Sequence, residues 1–436
     1  MSFLASDLLS FINKCPSAFH TVGTVREELL AAGYRPLNEA DVWSLHAGGK
    51  YFVTRNQSSL IAFSLPSEAD PSGFMIAASH SDSPSFKLLP SPESVVADSY
   101  IQARVERYGG LLSATWLDRP LSCAGRVTVR EGDTVACRLV DMETPLFLIP
   151  SLAIHMNREA NKNASYNDAV DMQPILGTKI AKGHFFSYLA DLLGVYPDDI
   201  LSYDLYLYPK TEGCVWGIDR EFISSPRLDD LQGVYASLKG FLAADEAAAI
   251  PVLAVFDNEE VGSGTMQGAD STFLSDTLMR INEALGGTVS DYHRALASSL
   301  MLSVDNAHAI HPNHPEVADT VNRPRMNEGI VIKHSASQRY TTSAPTDGLF
   351  TTVCQRAGVP VQHFTNRPDL PGGSTLGNIS GTQVSLHTVD IGLPQLAMHS
   401  SYETAGVKDI EYLVTALSEF YSTSLSQKED GLYLLS

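Results

Sequence analysis

No stretch of this sequence approaches the ~18 consecutive apolar residues that a membrane-spanning helix requires. Positive charge is also scarce: 30 Lys and Arg face 50 Asp and Glu, a net −20 over 436 residues. That balance argues against nucleic-acid and anionic-membrane partners, which reward surplus cations. Cysteine is sparse, and Cys15, Cys123, Cys137, Cys214 and Cys354 include no Cys-x-x-Cys pair. Scattered thiols of this kind suit a reducing compartment. The first ten residues carry no basic stretch followed by an apolar core, so the expected location is cytoplasmic. His-Glu-x-x-His, Gly-x-Ser-x-Gly and a phosphate loop ending in Gly-Lys-Ser/Thr are all missing, which removes three common catalytic designs.

Apolar residues are plentiful at 44%, and the chain is longer than one core usually grows. Residues 6–13 and 18–32 read as helices, the first capped by Ser6. Strand-like runs follow at 50–54, 60–64 and 74–79. From about 100 to 150 the texture turns to alternating β segments. Strands at 250–256, 300–304, 359–364 and 384–390 then alternate with helices at 271–285, 344–357 and 410–425. Such alternation predicts an α/β fold, a mostly parallel sheet with helices on both faces. The expected organisation is an α/β domain of residues 1–91 and 216–436, interrupted by an inserted β-rich domain of 92–215.

Four apolar runs end in metal-binding side chains. They lead to His80 and Asp82, to Glu259 and Glu260, to Asp305, and to His399. A fifth segment carries Asp229 and Asp230 ahead of a helix. Parallel strands would bring these ends to one edge, where open α/β sheets bind ligands. Mixed imidazole and carboxylate ligands suit borderline divalent ions such as zinc. Two His and three carboxylates suffice for two ions if one carboxylate bridges, and such a pair activates water and polarises a carbonyl. Glu259, beside Glu260, is placed to act as general base, and Asp82 to accept the other N–H of the His80 ring. His308, His311 and His314 lie among prolines and read as a wall of the same cleft. From the residues alone, either Asp229 or Asp230 could be the ligand.

The segments Ser79–Pro84, Pro226–Asp229, Asp257–Ser263, Ser303–His308 and Pro394–Ser400, in that order, resemble the aspartyl aminopeptidase family of metallopeptidases over essentially the whole chain. The resemblance implies one metal on His80, Asp229 and Asp305, and a second on Asp229, Glu260 and His399, with Asp229 bridging. It assigns Glu259 as base and Asp82 as the residue behind His80. It implies two divalent ions per subunit, zinc first, with cobalt and manganese as alternatives. It further implies short peptide substrates and a homo-oligomer, a tetrahedral dodecamer, in which His155 reaches a neighbour's active site. Tyr340 and Ser337 would face the substrate.

Two positions depart from the family. Ser337 replaces a lysine before Gln338-Arg339-Tyr340, and Tyr402 stands where an arginine is lost. Both changes remove positive charge, so the family's preference for acidic N-terminal residues should weaken. The competing readings are a metal-dependent amidase or deacylase of small N-acyl metabolites, and a non-catalytic oligomeric scaffold stapled by metal. The spare carboxylate of Glu259 speaks against the scaffold.

Overall fold

The computed structural model describes residues 3–67, 71–370 and 372–436. Its central sheet contains β1 (Arg35–Leu37), β2 (Lys50–Arg55), β3 (Ser59–Ser64), β4 (Phe74–His80), β5 (Ile250–Phe256), β6 (Leu300–Val304), β7 (Ile330–His334), β8 (Val361–Thr365) and β9 (His387–Gly392). They lie in the order β1-β2-β3-β5-β4-β6-β9-β7-β8. The middle strands β5, β4, β6 and β9 run parallel. Antiparallel contacts occur where β2 meets β3, β3 meets β5 and β9 meets β7.

Near-continuous apolar strands are what a sheet buried on both faces demands. Along β5, Leu253 and Val255 pack against Leu231 and Leu417 of the helices Leu228–Ala243 and Val407–Tyr421. The alternate residues Val252, Ala254 and Phe256 face the other way, toward Phe273 and Leu278 of the helix Phe273–Ala284. The two-residue period of a strand thus feeds two separate cores.

A six-stranded antiparallel sheet draws its strands from Ser85–Val96 through Ile200–Pro209 and closes over Phe86, Val127 and Leu205. A five-stranded sheet combines Cys214–Trp216, Phe222–Ser225, Ala307–His308, Pro394–Leu396 and Glu403–Gly406. Among the described residues no helix is long and apolar enough to cross a membrane.

Several local expectations change. The first helix spans Phe3–Asn13, so Ser6 lies inside it and does not cap it. The strand expected at 384–390 begins only at His387, because the helix Leu376–Gln383 occupies the residues before it. That helix is rich in Gly and Ser and lacks a regular apolar stripe, so periodicity does not announce it. The helix Val289–Ala297 was also missed, although Thr288 and Asp291 cap it reciprocally.

Gly392, at the end of β9, passes directly against the backbone of Asp305, and a Cβ there would overlap the Asp305 carbonyl. Gly392→Ala should therefore force β9 and β6 apart. The expected loss is about 1–3 kcal/mol, typical of overpacking, read as a lowered urea midpoint at unchanged slope. An unchanged midpoint would show that the strand ends tolerate the shift.

Candidate metal centre

Three neighbouring parallel strands stop at one edge of the central sheet. β4 ends on His80, β5 runs into Glu259 and Glu260, and β6 runs into Asp305. Asp229 enters from the start of the helix Leu228–Ala243, where it and Asp230 keep non-helical dihedrals (φ −85°, ψ 112° and φ −112°, ψ 27°) and share a cis peptide bond. His399 comes from elsewhere. Its approach strand, Pro394–Leu396, belongs to the five-stranded sheet, which corrects the expectation of a fourth strand in the central one. Arg227, Asn258 and His399 adopt left-handed backbone (φ 58°, 64° and 67°) at or beside these side chains. Non-glycine residues there cost on the order of 1–3 kcal/mol each and concentrate at functional sites.

The two oxygens of Asp229 divide between two imidazoles. Oδ1 lies 3.8 Å from His80 Nε2, and Oδ2 lies 3.5 Å from His399 Nε2. His80 Nε2 also stands 4.0 Å from Asp305 Oδ1, and His399 Nε2 stands 3.3 Å from Glu260 Oε2. Two three-donor groups thus share the Asp229 carboxylate, and a third, His80 with Glu259 and Glu260, overlaps them. Asp230 is not part of any of them. It is fully buried, with Oδ2 accepting the backbone N–H of His80 at 3.2 Å.

The donor set fits divalent cations. Ligand atoms at zinc-type bond lengths of about 2.0–2.2 Å stand about 3.3–3.6 Å apart in a tetrahedral shell, close to the separations here. Glu260 Oε1 is buried and accepts no hydrogen bond from the protein. Burial first, then the Asp229 charge, push the Glu260 carboxyl up, against the pull of His399. Burial first, then Asp305 and Asp82, raise Glu259 to about 8 despite nearby His80. Such carboxylates ask for positive charge among them.

The imidazoles are oriented to supply it with ligands. The carbonyl of Gly110 lies 3.0 Å from His399 Nδ1, and the carbonyl of Asp82 lies 3.0 Å from His80 Nδ1. A carbonyl only accepts, so each Nδ1 carries a proton and each Nε2 points at the carboxylates, where it can ligate a cation once deprotonated.

The family model "Aminopeptidase I zinc metalloprotease (M18)" matches residues 11–421. The chain belongs to the M18 aminopeptidase family. It is similar to a Clostridium acetobutylicum protein named "Probable M18 family aminopeptidase 2", at 46% identity across 96% of this chain and 98% of that one. It resembles a chain in the cryo-EM structure of the Ape4 and Nbr1 complex, at 37% identity and TM-score 0.93, covering 96% and 85% of the two chains. The S. cerevisiae mApe1 dodecamer follows at 29% identity and TM-score 0.83, with 96% of each chain covered. This chain is accordingly a metal-dependent aminopeptidase of a zinc metalloprotease family. The amidase and scaffold readings find no support among these relatives.

In this M18 aminopeptidase the outer contacts are as ordered as the donors. Asp82 differs from expectation: its carbonyl, not its carboxylate, is the nearer partner of His80, the carboxylate Oδ1 standing at 3.4 Å. The carboxylate instead accepts the backbone N–H groups of Glu259 and Glu260, both at 3.2 Å, and the Tyr108 hydroxyl at 2.7 Å. Asp82 therefore fixes the turn that aims the two glutamates apart. Glu260 faces His399, while Glu259 faces the open cleft with Asp305, His308, Lys333, Tyr340 and Phe364. His308 is thus in the cleft wall, and neither His311 nor His314 joins any donor group among the described residues.

The structure brings Tyr340 into the cleft but not His155 or Ser337. His155 is exposed on the loop at 150–174. Ser337 is exposed, with its hydroxyl 3.0 Å from that of Ser335. Two contacts were not foreseen from the sequence, although Lys333 itself was a candidate to bring positive charge to the substrate. Lys333 is buried with Nζ 3.3 Å from Asp305 Oδ2. Burial, the largest single influence, would lower its pKa, but Asp305, Tyr340, Asp390 and Asp229 together raise it. Glu403 is also buried, and its two oxygens accept the backbone N–H groups of Asp229 (2.9 Å) and His399 (2.7 Å). It ties the shared carboxylate to the one ligand from outside the central sheet. The chain offered a faint sign, a glutamate four residues past His399, but no spacing rule separates it from a surface acid.

Glu403→Gln keeps the shape but places an N–H₂ group where a backbone N–H needs an acceptor. Zinc affinity should fall about 10–100-fold, the usual effect of losing an outer-shell partner. Competition titration against a chromophoric chelator measures it, and wild-type affinity would show that Glu403 is not orienting the ligands.

Proposed function

We propose that each subunit removes the N-terminal residue of short peptides with two divalent ions, one on His80, Asp229 and Asp305, the other on Asp229, Glu260 and His399. The observation that carries this reading is the division of the Asp229 oxygens between the two imidazoles, at 3.8 and 3.5 Å. A single ion would leave one half of the donor set without a role. Zinc is the ion the family's description favours, with cobalt and manganese able to use the same ligands.

When bound, the ions supply positive charge that acidifies a water molecule and polarises the scissile carbonyl. Glu259, turned into the cleft, takes the proton from the attacking water and passes it to the departing amino group. Lys333, 3.3 Å from Asp305 Oδ2, offsets part of the negative charge that Asp305 brings near the base. Tyr340, Phe364 and Met398 line the wall beside these groups, where the substrate's first side chain would rest. Ser337 is neutral, so acidic first residues gain little from that position. The five free thiols suit a reducing compartment such as the cytoplasm.

Residues 92–215 form the oligomerisation insert in this reading, with His155 serving a neighbouring subunit. The similarity to the S. cerevisiae mApe1 dodecamer supports a dodecamer. A closed assembly would admit peptides and exclude folded proteins.

Two experiments test these assignments. Glu259→Ala should retain both metals yet lose at least ~10²-fold in kcat across aminoacyl-anilides with Asp, Glu, Ala or Leu, since a general base usually contributes that much. Turnover near wild type with unchanged metal content would remove Glu259 from the mechanism, and strong Asp selectivity untouched by Ser337→Lys would remove Ser337 from specificity. The second mixes His155→Ala and Glu259→Ala subunits. Hybrid oligomers should regain activity, because some sites then hold both intact residues. Verified hybrids without recovery would place His155 outside its neighbour's site.

A further inference from the structure

Among the described residues, one grouping of potential ligands lies apart from the cleft: His334, Asp347 and His363. We propose that these three side chains form an independent site for a divalent transition ion of the zinc class, on the face of β7 and β8 that packs against the helix Ala344–Ala357 and faces away from Lys333. The inference does not depend on the two-ion mechanism.

Strand geometry separates the two sites. Lys333 and His334 are consecutive on β7, so their side chains leave opposite faces. Lys333 reaches Asp305, and its neighbour Val331 packs with Tyr340 and Phe364 toward the cleft. The alternate residues Ile330 and Ile332 pack with Phe350 and Val353 of the helix Ala344–Ala357. His334 continues that second row. His363 sits on the adjoining parallel strand β8, opposite Ile332 in the register and therefore on the same face. Asp347 lies in the first turns of the helix that connects the two strands.

The donor atoms converge. His334 Nε2 is 3.3 Å from Asp347 Oδ2 and 3.1 Å from His363 Nδ1, and His363 Nδ1 is 3.8 Å from the same Oδ2. These spacings average near the ~3.3–3.6 Å edge of a tetrahedral shell with zinc-type bonds. The second oxygen of Asp347 accepts the Thr351 hydroxyl at 3.0 Å, which holds Oδ2 toward the two rings. All three side chains keep partial solvent access, at 31%, 22% and 47% for His334, Asp347 and His363. A fourth position is open to water. Two imidazoles and one carboxylate favour zinc, nickel or copper over magnesium or calcium, which seek all-oxygen shells. The competing arrangement is a hydrogen-bonded His–His–Asp cluster with no ion.

The test uses the full chain, stripped of metal and re-equilibrated with Zn²⁺ at buffered free concentration, with zinc per chain read by elemental analysis. Wild type should hold one equivalent more than His363→Ala, whatever the number in the cleft. A His80→Ala/His399→Ala variant should still gain thermal stability with Zn²⁺, and adding His363→Ala should abolish that gain. Equal zinc content in wild type and His363→Ala overturns the site, even if the cleft variant fails to fold. The count is a difference between two proteins, so it stands apart from any failure of the catalytic assignments.

Discussion

Buried carboxylates of like charge cannot share a few ångströms of dry interior without a cation between them. The convergence of Asp229, Glu260 and Asp305, with Glu259 beside them, is that constraint, and the surrounding structure is arranged to meet it. Two imidazoles turn their Nε2 atoms toward the carboxylates, two groups of donors meet at Asp229, and Lys333 stands 3.3 Å from Asp305. The sheet supplies the rigidity that such a cluster needs. Strand ends buried on both faces have little freedom to relax the repulsion by moving apart.

Precision comes from the layer behind the donors. Asp82 grips the Glu259–Glu260 turn through two backbone N–H groups, and Glu403 grips Asp229 and His399 in the same manner. The six-stranded sheet takes part too: Tyr108 bonds Asp82, Gly110 bonds the His399 ring, and the Leu112 amide donates to the His399 carbonyl. Gly109 has φ 74°, and a Cβ there would stand 3.1 Å from that of Glu260. The chain therefore passes this close to the turn only as glycine.

The donors themselves were legible because parallel strands leave a plain trace, an apolar run that ends in His, Asp or Glu. Glu259 beside Glu260 was legible for a similar reason, since adjacent side chains diverge. Lys333 was not, because a single lysine in an apolar strand gives no hint of the carboxylate it meets across the sheet. Gly110 acts through its own backbone carbonyl and Glu403 accepts from the backbone N–H groups of others, and backbone atoms carry no residue-type signature. The fourth ligand strand was misplaced for a related reason: Leu396-Ala397-Met398 before His399 is apolar like the other runs, and only tertiary pairing assigns its strand to another sheet. His334 and His363 went unnoticed because register, not sequence proximity, brings them together.

The bond between Gly110 and His399 joins positions 289 residues apart. Chains are made from the amino end, and contacts of long sequence separation form late. A nascent chain can assemble the His80, Asp229 and Asp305 donors well before His399 has left the ribosome. Until then the cluster lacks an imidazole, and Glu403 is not there to hold Asp229. The complete cluster therefore exists only once nearly the whole chain has been made.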